Sequence, residues 1–125
     1  MPDQNPFIWH ELVTPDQSTS GEFFRNLLGW TSREVGAGPF GTYTLFQSAG
    51  QDVAGMMNPT SETPRHESFW HSYIAVDDVD DCADRAPSLG GTVLVPPHDV
   101  PDFGRVCAVA DRTGAVAHLV QPVSD

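Results

Sequence analysis

Five histidines (His10, His66, His71, His98 and His118), the carboxylate of Glu11 and an aspartate run at Asp77, Asp78, Asp80 and Asp81 are the side chains of this sequence best suited to chemistry. Neutral imidazole and ionised carboxylate suit Zn, Mn, Ni or Fe(II), and the same groups can take and return a proton near neutral pH. Trp9, Trp30, Trp70 and the phenylalanines can wall a pocket for a flat organic ligand. The sequence has no Ser-His-Asp or Cys-His nucleophile arrangement and no glycine motif that cradles phosphate.

The elements that carry these residues sort them. Phe7 to Val13 is rich in β-branched and aromatic residues and reads as a strand, so Trp9, His10 and Glu11 alternate between its two faces. Thr14-Pro15-Asp16-Gln17 reads as an N-cap, a proline in the first helical position and a capping-box Gln. The helix runs to Leu28, with Phe23, Phe24, Leu27 and Leu28 on one face, and Gly29 ends it. Strands at Trp30 to Val35, Thr42 to Gln47 and Asp52 to Met57 follow, with turns at Gly36-Ala37-Gly38-Pro39 and Ala49-Gly50-Gln51.

Asn58 to Glu67 is polar and holds Pro59 and Pro64, so it reads as a linker, and His66 within it as solvated. Beyond it, Phe69 to Val76 is a strand carrying His71 and Tyr73, and Asp78 caps a helix from Val79 towards Leu89. The aspartate run therefore faces a helix dipole more readily than a cation. Pro87 removes a donor near the end of that helix and should shorten it. Thr92 to Val95 is a strand, Pro96 to Asp102 a stiff loop holding a solvated His98, and Arg105 to Ala110 and Ala115 to Val120 a hairpin across Asp111-Arg112-Thr113-Gly114. Arg105 is placed to pair with Asp99 or Asp111, or to meet an anionic substrate.

The order of elements repeats. Trp9-His10 reads against Trp70-His71, and Leu28-Gly29 against Leu89-Gly90, at the same offset. This predicts an α+β fold of two tandem βαβββ modules. One domain spans residues 1–125, with module one at 6–57, a linker at 58–67 and module two at 68–122. At 125 residues and 39% apolar the chain can bury one core but not two independent ones. The formal charge of −11, from 17 acidic residues against six arginines and no lysine, disfavours nucleic acid and anionic membranes. No apolar run approaches a membrane span and the first residues lack signal-peptide features, so a cytoplasmic location is expected. Cys82 and Cys107 are expected to be reduced, space-filling thiols.

Along Phe7 to Pro122 the chain resembles the vicinal oxygen chelate superfamily of glyoxalases, bleomycin-resistance proteins and extradiol dioxygenases. The residues that carry the resemblance are Trp9-x-Glu11-Leu12-x-Thr14-x-Asp16, Phe23-Phe24-x-x-Leu27-Leu28-Gly29-Trp30, Trp70-x-x-Tyr73-x-x-Val76-x-Asp78-Val79-Asp80, Gly90-Gly91, Pro96-Pro97-x-Asp99-Val100-Pro101-x-x-Gly104-Arg105 and Asp111-x-x-Gly114-Ala115. The Trp-x-Glu-Leu opening is similar to a glyoxalase-like subgroup.

The resemblance implies that the two βαβββ modules form a curved, barrel-like mixed sheet with helices on the convex face and a ligand held on the concave side. It puts His71 at a strand position where many members carry a histidine metal ligand, and His118 where metal-dependent members usually carry Glu. The matching position on the first strand is Trp9, which cannot ligate a metal. Two registers of that strand stay open. Either Trp9 and Glu11 face the pocket, preferred because Leu12 is then the partner of the helix face with Phe23 and Leu27, or His10 does.

The expected pocket is therefore Trp9, Glu11, His71, Tyr73 and His118. Glu11, His71 and His118 are the candidate metal ligands, and Glu11 the candidate catalytic group. Two readings follow: a module that binds a small organic molecule without a full metal site, or a divalent-metal-dependent lyase, isomerase, transferase or dioxygenase acting on a bidentate oxygen substrate. His71 and His118 are expected to share one cavity. Open sheet edges and the apolar stretch Val53 to Met57 predict a homodimer, with the modules paired within one chain or exchanged between chains.

Overall fold

A computed structural model describes residues 5–38, 41–59 and 68–123. Module one runs β1 (Phe7–Val13), α1 (Gln17–Leu28), β2 (Thr31–Gly38), β3 (Gly41–Ser48) and β4 (Gln51–Met57). Module two repeats the order with β5 (Phe69–Ala75), α2 (Val79–Arg85), a single 3-10 turn at Pro87–Leu89, β6 (Thr92–Val100), β7 (Gly104–Ala110) and β8 (Val116–Pro122). The expected α+β class and doubled βαβββ order are both present. In each module the first strand lies parallel to the last, β1 to β4 and β5 to β8, while the remaining pairs are antiparallel. Two compact units form, one of residues 9–71 and the other from residue 72 onward together with the first residues of β1. Among the described residues no helix is long and apolar enough to cross a membrane.

The core of the first unit is Leu12, Phe46, Ala54 and Met56, with Phe24 and Trp30 packed against it. Leu12 thus points to α1, and the strand alternation sends Trp9 and Glu11 to the opposite face of β1. The residue it meets on α1 is Phe24; the Phe23 and Leu27 expected there are 57% and 63% exposed. Gly21, one turn before Phe24, is buried, so α1 approaches the sheet on its Gly21–Phe24 side and leaves Phe23 and Leu27 outside.

The start of α1 also differs from expectation. Its N-cap is Asp16, whose carboxylate accepts from the Thr19 backbone N–H and the Thr19 hydroxyl. Thr14 lies ahead of the helix: its N–H donates to the Met57 carbonyl as an extension of the sheet, and its Oγ1 accepts from the Asp16 N–H at 3.1 Å. Its hydroxyl also lies 2.9 Å from the Ser20 hydroxyl. Gln17 reaches across to the Thr42 carbonyl and the Thr44 hydroxyl.

The Thr19 bonds hold the Asp16 carboxyl below its ordinary value of 3.8. A carboxyl lowered in the folded state contributes stability that is complete above that ordinary value and is lost as pH falls through the folded one. Asp16→Asn should therefore keep the cap but remove this acid sensitivity, whereas Asp16→Ala should fray the first turn at every pH. Amide exchange at Thr19 and Ser20 as a function of pH reads both outcomes.

Module two packs Val76, Val79, Ala83, Cys107 and Leu119 into its own core, with Ile74 and Cys82 against it. Asp78 caps α2 through the Asp81 N–H, as expected. Pro87 ends the α-helix at Arg85 and converts the rest into the 3-10 turn. Both cysteines are free thiols, and burial pushes that of Cys107 up to about 11.

Three sequence expectations are corrected here. Gly36 to Gly38 continues β2 past an irregularity between Val35 and Ala37 instead of turning. Pro96 to Val100 continues β6, with Pro96 and Pro97 in the register shift between Val95 and His98. Among the described residues β6 pairs only with β7, and an edge strand tolerates missing N–H donors. The Val53 to Met57 stretch, taken as a source of open edge, is β4 and is paired on both sides, with β1 and β3.

The Ala49-Gly50 turn is as expected, a two-residue hairpin with both residues at positive φ (53° and 81°).

Candidate functional site

Glu11 stands on the face of β1 turned away from the helix, directly across from Gly55 of β4. It is 5% exposed, and both of its carboxylate oxygens are engaged. Oε1 lies 2.8 Å from His71 Nε2, and Oε2 accepts from the Tyr43 hydroxyl at 2.7 Å. The Tyr43 oxygen in turn accepts from the Trp9 indole N–H at 3.0 Å. Four side chains from β1, β3 and β5 thus form one hydrogen-bonded chain. A buried carboxylate is tolerable because both of its oxygens are met by hydrogen-bonding partners.

Gly55 makes this arrangement possible. The Tyr43 ring crosses β4 where residue 55 has no side chain, and a Cβ there would lie 1.7 Å from the phenol oxygen. Neither Tyr43 nor Gly55 stands out as functional in the sequence. The available signal is Gly55 itself, a glycine inside a strand interior, which marks close approach of another group.

The expected register of β1 is the one found, with Trp9 and Glu11 together. His10 lies on the helix side, where with Phe24, Leu28, Trp30 and Trp70 it borders an open apolar groove of about 480 Å³. Trp70 makes edge contacts with Phe24 and Trp30, so it belongs to that side, and His71 to the other.

Tyr73 and His118 sit opposite each other in the β5–β8 pairing, with ring centroids 5.6 Å apart. Their strand neighbours Ile74 and Leu119 enter the core beneath α2, so this pair occupies the face turned away from the helix. Phe103, from the β6–β7 turn, packs edge-on to Tyr73 at 5.0 Å. It too was not singled out by sequence.

Of the remaining candidates, Asp78 is a cap, and Asp81 pairs with Arg85. Asp80 meets Arg105 at 2.8 Å; the Arg105 hydrogen bond holds the Asp80 carboxyl below its usual range, and the pairing raises the arginine. Arg105 also reaches Asp99, at 3.2 Å. Asp111 is committed to its own turn, bonding the Thr113 hydroxyl and the N–H groups of Thr113 and Ala115, and these bonds lower its carboxyl. His98 Nδ1 lies 3.0 Å from the Pro96 carbonyl oxygen. His66 falls outside the described residues.

A divalent metal would need donors turned to a common centre. Among the described residues no group of three His, Cys, Asp or Glu side chains is gathered for an ion. Glu11 and His71 are bonded to each other, and the second Glu11 oxygen is held by a phenol. These residues do not fit a metal in this arrangement.

The chain has been compared with known proteins. The model of the Glyoxalase/Bleomycin resistance protein/Dioxygenase superfamily matches residues 7–119. The anthracycline biosynthesis protein DnrV of Streptomyces peucetius is 34% identical over 119 residues, covering 86% of this chain and 43% of that protein. The putative glyoxylase CFP32 of Mycobacterium tuberculosis is 35% identical over 117 residues, covering 92% of this chain and 43% of that protein. The chain thus spans less than half the length of the curated relatives it matches.

Among solved structures, a methylmalonyl-CoA epimerase variant of Streptomyces coelicolor in complex with 2-nitronate-propionyl-CoA superposes with a TM-score of 0.67 at 19% identity over 96% of each chain. A hypothetical protein, BH1468 of Bacillus halodurans, gives 0.71 at 12% identity over 98% of each. At these identities the likeness is one of fold.

Proposed function

The chain belongs to the glyoxalase/bleomycin resistance protein/dioxygenase superfamily, and from that premise we propose that it binds a small, partly aromatic organic molecule at the Trp9–Tyr43–Glu11–His71 cluster without a metal ion. The observation that carries this reading is the engagement of both Glu11 oxygens by protein hydrogen-bonding groups, which leaves the carboxylate arranged for hydrogen bonding and not for an ion. Trp9 and Tyr43 supply flat apolar surface beside a polar anchor, the combination by which small-molecule sites recognise and orient a ligand. The relative named for anthracycline biosynthesis supports a polycyclic aromatic ligand.

Quenching of tryptophan fluorescence by a panel of polycyclic quinones and phenols tests this, with Trp9→Phe assigning the signal to the site. Affinity should be unchanged between chain treated with a chelator and chain given Zn, Mn, Ni or Fe(II), and metal analysis should find well under one ion per chain. One equivalent of retained metal, with binding lost on chelation, would overturn the reading.

A second reading rests on the 2.8 Å contact between the Glu11 carboxylate and the His71 ring. A buried carboxylate–imidazole pair is a proton-transfer device, so the same cluster could act as acid and base on a bound substrate. Exchange of solvent deuterium into a bound carbonyl compound, abolished by His71→Asn, distinguishes it from binding alone.

A further inference from the structure

We infer that Tyr43 and Gly55 are a positioning pair that fixes the direction in which Glu11 and His71 share a proton. The inference deepens the proposed site but stands on the protein without ligand. It begins at Trp9, because an indole N–H can only donate. Trp9 donates to the Tyr43 oxygen at 3.0 Å, and the phenolic proton is given to Glu11 Oε2, at 2.7 Å. Oε2 is thereby fixed as an acceptor, and in the 2.8 Å contact of Oε1 with the ring we assign the proton to His71 Nε2, which makes neutral His71 the Nε2–H tautomer. One donor-only side chain thus sets the polarity of the whole chain of bonds.

Gly55 enters through space, not backbone freedom. Its φ is not among the positive ones, so alanine fits its backbone. What alanine cannot fit is the Tyr43 ring, since a Cβ would lie 1.7 Å from the hydroxyl oxygen and 2.3 Å from the ring carbon bearing it. Gly55 is also the β4 residue paired with Glu11. A side chain at 55 would displace the phenol from the gap between Trp9 and Glu11 and cut the chain at its middle.

The test reads the His71 ring nitrogens by 15N NMR, and the Trp9 indole N–H resonance, in the ligand-free chain at neutral pH. The parent protein should show the proton on Nε2. Tyr43→Phe, which keeps the ring and removes only the hydroxyl, should move the ring-nitrogen shifts toward the other tautomer and return the indole resonance to that of an unbonded N–H. Gly55→Ala should reproduce the Tyr43→Phe signature at His71 while lowering the thermal midpoint. In the Gly55→Ala/Tyr43→Phe double variant the midpoint should fall further, because the phenyl ring still meets the new methyl, but the His71 shifts should match those of Tyr43→Phe alone. A parent His71 protonated on Nδ1, unchanged ring shifts in Tyr43→Phe, or a separate effect of Gly55→Ala on His71 when Tyr43→Phe is already present would each overturn the inference. None of these results depends on ligand affinity, so failure here is distinct from failure of the binding reading.

Discussion

Truncating Glu11 to alanine should destabilise the chain by about 2–4 kcal/mol, because it strips the partner from two half-buried groups at once and each is worth roughly 1–2 kcal/mol when left unmet, the lower part of the range for such groups. The two groups are the Tyr43 hydroxyl and His71 Nε2, at 2.7 and 2.8 Å from the lost oxygens. In a domain of this size that loss corresponds to a fall of about 10 °C in thermal midpoint. Ligand affinity should fall at least about tenfold, the value of one hydrogen bond to a charged group.

Glu11→Gln separates shape from charge. Its amide oxygen can still accept from Tyr43, but its NH2 must then face His71 and needs a lone pair on Nε2, so the ring should switch tautomer with only a small change in midpoint. Stability losses of Glu11→Ala and His71→Ala should also fall short of additivity by about 1 kcal/mol or more, as for residues in direct contact. A Glu11→Ala protein as stable as the parent would show that the carboxylate does not hold this cluster together.

Phe46→Ala should be the most damaging single core truncation, at about 3–5 kcal/mol. The ring is 0% exposed and is packed among Leu12, Ala54 and Met56, with the Trp30 ring centroid 5.1 Å away. Phe46 points to the helix side of β3, whereas Tyr43 serves the other side. Urea unfolding should therefore show the loss of stability, while ligand affinity measured well below the midpoint stays within about twofold of the parent, an energy difference of under about 0.5 kcal/mol. Phe23→Ala, at a ring 57% exposed, should stay within about 0.5 kcal/mol of the parent. Comparable losses from the two substitutions would place the core elsewhere.

The contrast between those two phenylalanines shows where the sequence was legible. The doubled βαβββ order follows from strand-like and helical segments recurring at a fixed offset, and it is a property of local pattern. The register of β1 was legible for a similar reason: Leu12 needed a helix to pack on, and that choice alone carried Trp9 and Glu11 to the opposite face. Helical periodicity placed four apolar residues on α1 near one another but could not say which would meet the sheet. The buried Gly21 decides it in favour of Phe24.

Tyr43 and Gly55 escaped because their importance is a relation between strands. The Tyr43–Glu11 bond spans 32 residues, and nothing local to Thr42–Gln47 reveals that the neighbouring strand has left room for a ring. The cap of α1 was misplaced by two residues for a comparable cause. Thr14 has the right side chain, but its backbone still belongs to the sheet through Met57 and its Oγ1 accepts from the Asp16 N–H, too early for a helix that begins at Gln17.

Pro96 and Pro97 bear on how copies of this chain can meet. Successive residues of a strand aim their N–H groups to alternate sides, so of two adjacent prolines one withholds a donor from the outer margin of β6, and the register shift there bends that margin away from a straight ladder. A foreign strand laid along β6 would find an interrupted row of bonds. Amyloid-like stacking and strand exchange are thereby discouraged at this border, as in natural sheets that guard their rims with proline and bulges. Edge-to-edge pairing of two copies along the Pro96–Pro97 stretch is disfavoured on the same grounds.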